Sequence, residues 1–354
     1  MKNRKLQNVE LELEEKFLDR VHQKDKLCES YKRLGYEKKA AAVMECGTEL
    51  TFLAPSDPEL PHKLYRANFC KDRLCPMCSW RRTKKIFGQV SKIMDKLDEE
   101  YEFVFVTLTV LNCSSAQLRD YIKRLLKAFD LFNHYKEVKQ AFKGYFRTLE
   151  ITRHEDRIRS IEWHPHFHVI YAVKPSYFRS RYYIDHDKLM HLWQRAFQTS
   201  YDPRVYIEKV KPKENDKRYT EEQHLNALHE VAKYSAKSFE YLTCNDEDTD
   251  RGVGTLLQSL TTHRLCGMGG VFRKTAQELK LDDMIDGDLV NTDNEEIRAD
   301  LNGILMHYQW RIGAGYQLVS TEDFQEYKAR QKAEEQEAYA FYQRVKKTKR
   351  GSSR

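Results

Sequence analysis

Two histidines one residue apart, His166 and His168, stand in the run His164-Pro165-His166-Phe167-His168-Val169-Ile170. On a β-strand alternate side chains share a face, so both imidazoles project one way while Phe167 and Val169 turn toward a core. Such a pair is half of a divalent-metal site. His164 has the same parity, but three alternate residues span roughly 13 Å of strand. Ligand bonds of about 2 Å cannot gather all three on one ion. The third ligand must come from a neighbouring element. Gly144 to Thr152 reads as a strand and the polar stretch His154 to Ser160 as its turn. Folded as a hairpin about Ile158, the two strands set Glu150 opposite His166, with Leu149 and Ile151 on the core side. Glu150, His166 and His168 are therefore the expected ligands. The plainer alternative is a structural hairpin whose histidines merely sit at the surface.

The elements that must position these groups follow from periodicity. A strand at 102–111 leads to an amphipathic helix at about 115–140, where Leu118, Ile122, Leu125 and Leu126 recur at helical spacing. The hairpin strands at 143–153 and 163–173 follow, then a helix at about 186–199 with Leu189, Leu192, Trp193 and Phe197, and a strand at 204–211. This β-α-β-β-α-β order is that of a ferredoxin-like, RRM-type antiparallel sheet with helices on one face and the other face open for ligands. The expected class is α+β. Residues 8–45 read as one or two helices broken near Gly35, Asn245 to Asp250 as an acidic loop, and 255–281 as a helix-loop region. Around 305–319 lies an aromatic strand candidate, followed by a charged helix at 321–348.

Cysteines mark a second centre. Cys70, Cys75 and Cys78 fall within nine residues, Cys46-Gly47 precedes them, and Cys75-Pro76-Met77-Cys78 is a knuckle that can point two sulfurs at one ion. Four thiolates make the closed tetrahedral shell of a structural Zn²⁺ site, with His62 as a possible substitute ligand. Free thiols are the alternative. No apolar run approaches membrane-spanning length and the charged start is unlike a signal peptide, so the chain is expected in the cytosol, without a membrane partner. There, thiols and metal ligands are read before disulfides. With 61 Lys+Arg against 54 Asp+Glu the chain carries +7, which favours an anionic partner. Arg81, Arg82, Lys84 and Lys85 follow the last sulfur and are candidates for contact with a DNA backbone, or else form a solvated helix face.

A third set completes the chemistry. Thr220 to Leu242 reads as a helix, and Glu230, Tyr234 and Lys237 are spaced to stack along one of its faces. A phenol, a carboxylate and an ammonium together suit phosphodiester chemistry. Alone, that face is more often an ordinary surface; beside a metal site its meaning changes. Tyr241 lies one heptad beyond Tyr234 and is the rival nucleophile.

On these residues the chain resembles the replication initiators of rolling-circle plasmids, in the single-tyrosine branch of the HUH endonuclease superfamily. Phe105-Val106-Thr107-Leu108-Thr109, His164-Pro165-His166-Phe167-His168-Val169 and Glu230 to Lys237 carry the resemblance, in the family's order. Cys46-Gly47 and the stretch Asn68 to Cys78 also look like that branch, so the match spans about 46–242. The resemblance implies an HUH endonuclease fold and a site-specific nickase acting on single-stranded or cruciform origin DNA. Tyr234 would attack the scissile phosphate and remain joined to the 5′ end. His166, His168 and Glu150 would hold Mg²⁺ or Mn²⁺, Glu230 would activate water at termination, and Lys237 would contact phosphate. Thr107 and Thr109 would shape the site. A host helicase and polymerase are implied as partners.

The expected organisation is an N-terminal helical segment at 1–45, a zinc element with its basic helix at 46–95, a nuclease domain at 96–245 and a C-terminal region at 250–354. A related relaxase or single-tyrosine transposase shares the metal site and nucleophile. A non-catalytic zinc DNA-binding protein would leave the His-x-His and Glu-x3-Tyr sets unexplained, and a two-His-one-carboxylate iron oxygenase would need no tyrosine helix.

Overall fold

The structure is a computed structural model that describes residues 17–57, 59–155, 161–210, 241–261, 263–292 and 301–351. By contacts the chain divides into two units, one of residues 1–19, 45–69 and 296–354, the other of 20–44 and 70–295. Both hold antiparallel sheet, and the class is α+β. Among the described residues no helix is long and apolar enough to cross a membrane.

The larger unit is built on a sheet whose strands run in the order β7-β3-β6-β5-β8: β7 (Val205–Val210), β3 (Glu102–Leu108), β6 (Ile161–Val173), β5 (Phe142–Glu155) and β8 (Cys266–Gly270). The two-residue β4 (Cys113–Ser114) pairs with the start of β6. Glu150 stands opposite His166 and Thr148 opposite His168, the register that folding about Ile158 predicts. On the other side of β6, Thr107 stands opposite His168. Leu149, Ile151, Phe167 and Val169 turn to the second face, and all four are fully buried.

That second face is covered by α4 (Leu118–His134) and α6 (His186–Phe197). Phe129 packs on Phe167 at 4.9 Å between ring centroids, and Trp193 lies 6.5 Å from Phe167. Asp185 caps α6 by accepting from the Lys188 amide at 2.8 Å. The helix expected over 115–140 is two. The Asn133 side chain donates to the Phe129 carbonyl at 2.8 Å and the His134 ring to that of Asp130 at 2.7 Å, so side chains take up the last carbonyls. Tyr135 then turns extended, and α5 (Lys136–Ala141) begins anew.

Other differences have equally local causes. The charged N-terminal stretch forms α1 (Leu18–Arg33) and α2 (Glu37–Glu45), separated at Gly35, whose φ is +78°. The expected acidic loop is instead the first turn of α7 (Asp246–Leu260), because Asn245 accepts from the Asp248 amide at 2.9 Å and three acids complement the helix dipole. Within the expected helix-loop region, β8 adds a glycine-rich strand beside β5, and α8 (Val271–Glu278) follows it.

In the smaller unit the sheet order is β10-β9-β1-β2, from β1 (Glu49–Pro55), β2 (Lys63–Ala67), β9 (Gly303–Arg311) and β10 (Gly315–Asp323). The aromatic strand candidate is thus a hairpin, turned where Gly313 and Gly315 adopt φ of +78° and +75°. The charged helix, α9, runs over Phe324–Gly351.

The basic residues that follow the last sulfur lie on α3 (Pro76–Leu97), and three of them point inward. Arg81 donates to the carbonyls of Leu289 and Val290, and Lys85 reaches Asp282 at 2.6 Å and the Asp288 carbonyl at 2.8 Å. Arg82, only 1% exposed, donates to the carbonyls of Ile285, Asp72 and Lys71. These side chains tie α3 to the 282–292 loop, which corrects the expectation that Arg81, Arg82 and Lys85 face DNA; Lys84 alone stays half-buried, over the Trp80 ring. Removing Arg82 strands three carbonyls. Arg82→Ala should cost about 3 kcal/mol in urea unfolding, and Lys84→Ala less than about 1 kcal/mol.

Candidate metal centre and its family

Glu150, His166 and His168 meet as their strand parity requires. His168 Nε2 lies 2.8 Å from Glu150 Oε2, His166 Nε2 lies 3.4 Å from the same oxygen, and the two Nε2 atoms are 3.2 Å apart. A triangle with those edges is small enough for one ion, at bonds of about 2.1 Å, to touch all three corners from just outside their plane. The tautomers agree with that use. His166 Nδ1 sits 3.1 Å from the His164 carbonyl, which can only accept, so in the neutral ring the lone pair is on Nε2. Thr107 Oγ1, 3.3 Å from His168 Nδ1, can hold the second ring the same way. In those tautomers three acceptor atoms face one point, where either a metal ion or a proton shared with Glu150 can bridge them.

The surroundings fix these groups. Phe105 stacks on His168 with ring centroids 5.6 Å apart and planes 19° from parallel. Glu150 and His168 are 4% and 7% exposed. Burial works to raise the Glu150 carboxyl, but hydrogen bonds from His166 and His168 overcome it and hold the group well below the usual carboxylate range. His164 stays out of the group, its Nε2 buried without a partner, and burial lowers its pKa to about 4. The face was expected to be open. Phe105, Phe146 and Ile170 are buried on it, so the triad opens to solvent chiefly at His166, whose side chain is 12% exposed. Thr109 donates to the Arg204 carbonyl at 2.7 Å and so braces the end of β3 rather than the metal ligands. The Phe105 contact was readable: it shares strand parity with Thr107.

Glu230, Tyr234 and Lys237 lie outside the described residues. Tyr241 does not, and it is fully buried with its hydroxyl donating to the Leu74 carbonyl. A phenol so enclosed is no nucleophile for a DNA strand.

In the larger unit Cys70, Cys75 and Cys78 bring their sulfurs within 4.8 Å of one another, and those of Cys70 and Cys78 are 3.7 Å apart. That is the spacing of two thiolates on a tetrahedral ion at about 2.3 Å. Pro76 opens α3 directly after Cys75, so the helix's positive end lies beside the sulfurs and favours thiolates. Cys46 is buried in the smaller unit. His62 belongs to no metal-capable group among the described residues.

Comparison with known proteins decides the family. The family model described as Rep_1, replication protein, matches residues 61–317. The chain belongs to the Rep_1 replication protein family. A relative named Protein rep from Lentilactobacillus hilgardii is 36% identical over 278 residues, 76% of this chain and 84% of its own length. Protein rep from Bacillus amyloliquefaciens is 36% identical over 299 residues, covering 80% of this chain and 86% of that one. Protein rep from Staphylococcus aureus is 37% identical over 238 residues, 66% of this chain and 96% of the relative. No solved structure matches the chain. The Rep_1 match contains the histidine pair, Glu150 and the Glu230 to Lys237 segment, and it ends before α9.

For this Rep_1 chain the triangle predicts which substitutions remove metal. Titrated with Mn²⁺ in a calorimeter, Glu150→Gln and His168→Ala should each weaken binding at least about tenfold, the usual cost of a lost ligand or its close support. His164→Ala should change it by less than about threefold. A His164→Ala loss as large as that of His168→Ala would mean the ligand set is wrong.

Proposed function

We propose that this replication protein initiates rolling-circle replication of a plasmid by nicking single-stranded or cruciform origin DNA. The observation that carries the proposal is the convergence of Glu150, His166 and His168 within 3.4 Å. The strand order β7-β3-β6-β5, with α4 and α6 together on one face, supports a ferredoxin-like HUH endonuclease core within 96–245. Mg²⁺ or Mn²⁺ held by the triad would polarise the scissile phosphate and offset the charge that builds on its oxygens.

The chain's own groups do the rest. The Tyr234 oxygen attacks phosphorus, the bond to the 3′ oxygen breaks, and the protein is left joined to the 5′ phosphate with a free 3′-OH as primer. Lys237 offsets negative charge on the phosphate. Extension of that primer calls for a host helicase and polymerase, in the cytoplasm. The burial of Tyr241 supports Tyr234 as the nucleophile. Of the basic segment, Lys84 alone keeps a place as a phosphate contact.

A single tyrosine must also be released. Hydrolysis of the phosphotyrosyl bond needs a base beside it, and Glu230 lies one helical turn before Tyr234 in the expected helix. Glu230→Ala should nick and attach normally yet yield over-long replicated products. Termination at wild-type efficiency would reduce Glu230 to a solvated residue.

Structure rather than chemistry is the role proposed for the cysteines. Cys46, Cys70, Cys75 and Cys78 together have the composition of a closed zinc shell, and the sulfurs of Cys70, Cys75 and Cys78 lie within 4.8 Å of one another. Cys78→Ser should lower zinc content and folded yield together, and a fully folded, zinc-free wild-type preparation would contradict the assignment.

The nickase reading is tested by incubating the protein with circular single-stranded origin DNA and Mn²⁺ and running a denaturing gel. A covalent adduct should form, and Tyr234→Phe should abolish it while origin affinity stays within about twofold, because only a hydroxyl is lost. An undiminished adduct with Tyr234→Phe would overturn the assignment.

A further inference from the structure

The sheet face that carries the triad continues across β3 to the edge strand β7. Thr107 stands opposite His168 on one side and opposite Tyr206 on the other, so Tyr206 shares that face. Two residues along, Thr109 donates its amide to the Arg204 carbonyl at 3.2 Å. By the same alternation Arg204 stands level with His166, two strand spacings or about 10 Å away. Burial first, and then neighbouring charges that include Arg204, lower the His164 pKa, which agrees with a guanidinium on the histidine side of the sheet. β7 thus sets an aromatic ring and a cation beside the ligand rows.

Both groups remain available. Tyr206 is 51% exposed, and its hydroxyl donates to Glu208 Oε2 at 2.6 Å, which holds the phenol by its tip and leaves the ring open. Arg204 is exposed, and among the described residues its guanidinium makes no ion pair. On β3, between this pair and the ligands, stand Thr107 and Thr109, both short and half-buried. The result is a trough floored by threonines, with a ring and a cation along its edge and three metal-capable groups on its far side. A folded core needs neither an open ring nor an unpaired cation there.

We propose that Tyr206 stacks on a base of the single DNA strand and Arg204 holds an adjoining phosphate, so that the scissile phosphate is presented to the triad. The inference rests on the nickase reading and adds two positioning residues to it. An aromatic face takes any base, and a guanidinium can donate two parallel hydrogen bonds to a phosphate. Fixing the strand at its base and its backbone, one trough away from the ligands, removes the freedom that the reacting phosphate would otherwise keep.

The test is fluorescence anisotropy of the full chain on a single-stranded origin oligonucleotide, with no divalent metal added so that no bond is cut. Tyr206→Leu should weaken binding at least about fivefold, and Tyr206→Phe, which keeps the ring, less than about twofold. Arg204→Gln should weaken it too, and should lower the slope of log affinity against log salt by about 0.7, the loss of one phosphate contact on a single strand. An abasic site moved along the oligonucleotide should, at one position, abolish the effect of Tyr206→Leu and leave that of Arg204→Gln. Unchanged affinity with Tyr206→Leu, an equal loss with Tyr206→Phe, or an unchanged salt slope with Arg204→Gln would overturn the proposal. If the wild type still forms its covalent adduct with Mn²⁺, such a result removes the strand contact alone. Binding that depends on Tyr206 and Arg204 in a protein that forms no adduct would keep the contact and remove the nickase reading.

Discussion

The pairing of Glu150 with His166 across the β5–β6 ladder is the constraint on which the site depends. Side chains alternate along a strand, so a slip of one residue would send Leu149 or Ile151 to the histidine face and the carboxylate into the core. What prevents the slip lies on the other side of the sheet. Leu149, Ile151, Phe167 and Val169 are fully buried, with Phe129 of α4 and Trp193 of α6 packed against Phe167. At about 25 cal/mol per Å² those four side chains favour this register by several kcal/mol over any that exposes them. The bulge in the hairpin falls at Phe142 and Gly144, remote from the ligands, and leaves their rows intact. An apolar core thus sets the geometry of Glu150, His166 and His168.

Much of this was legible because β5 and β6 show period-two alternation with chemistry on one face and hydrocarbon on the other. Residue identity and parity were enough to place Glu150 against His166 and to leave His164 aside. β1 escaped notice for the opposite reason: Leu50 to Pro55 are all buried, so its burial does not alternate. β8, in Cys266-Gly267-Met268-Gly269-Gly270, lacks the side chains that announce a strand. The helix break at Tyr135 follows from side chains that cap carbonyls, which no hydrophobic period records.

The basic cluster shows where composition misleads. Arg81, Arg82, Lys84 and Lys85 look like a phosphate-binding stripe, yet three of them satisfy loop carbonyls and Asp282. Long cationic side chains bury readily when every donor finds an acceptor, and sequence alone cannot tell that use from binding. Family membership fixes the biological setting as replication. The role proposed for Glu150, His166 and His168 rests on geometry, and those proposed for Glu230, Tyr234 and Lys237 on residue chemistry and spacing.

Anomalous diffraction from crystals of the protein loaded with Mn²⁺ tests the central claim most directly. The account predicts one manganese peak within about 2.3 Å of Glu150 Oε2, His166 Nε2 and His168 Nε2, with its remaining positions open to solvent or phosphate. A manganese bound instead through His164, or no peak at the triad under saturating metal, would contradict it.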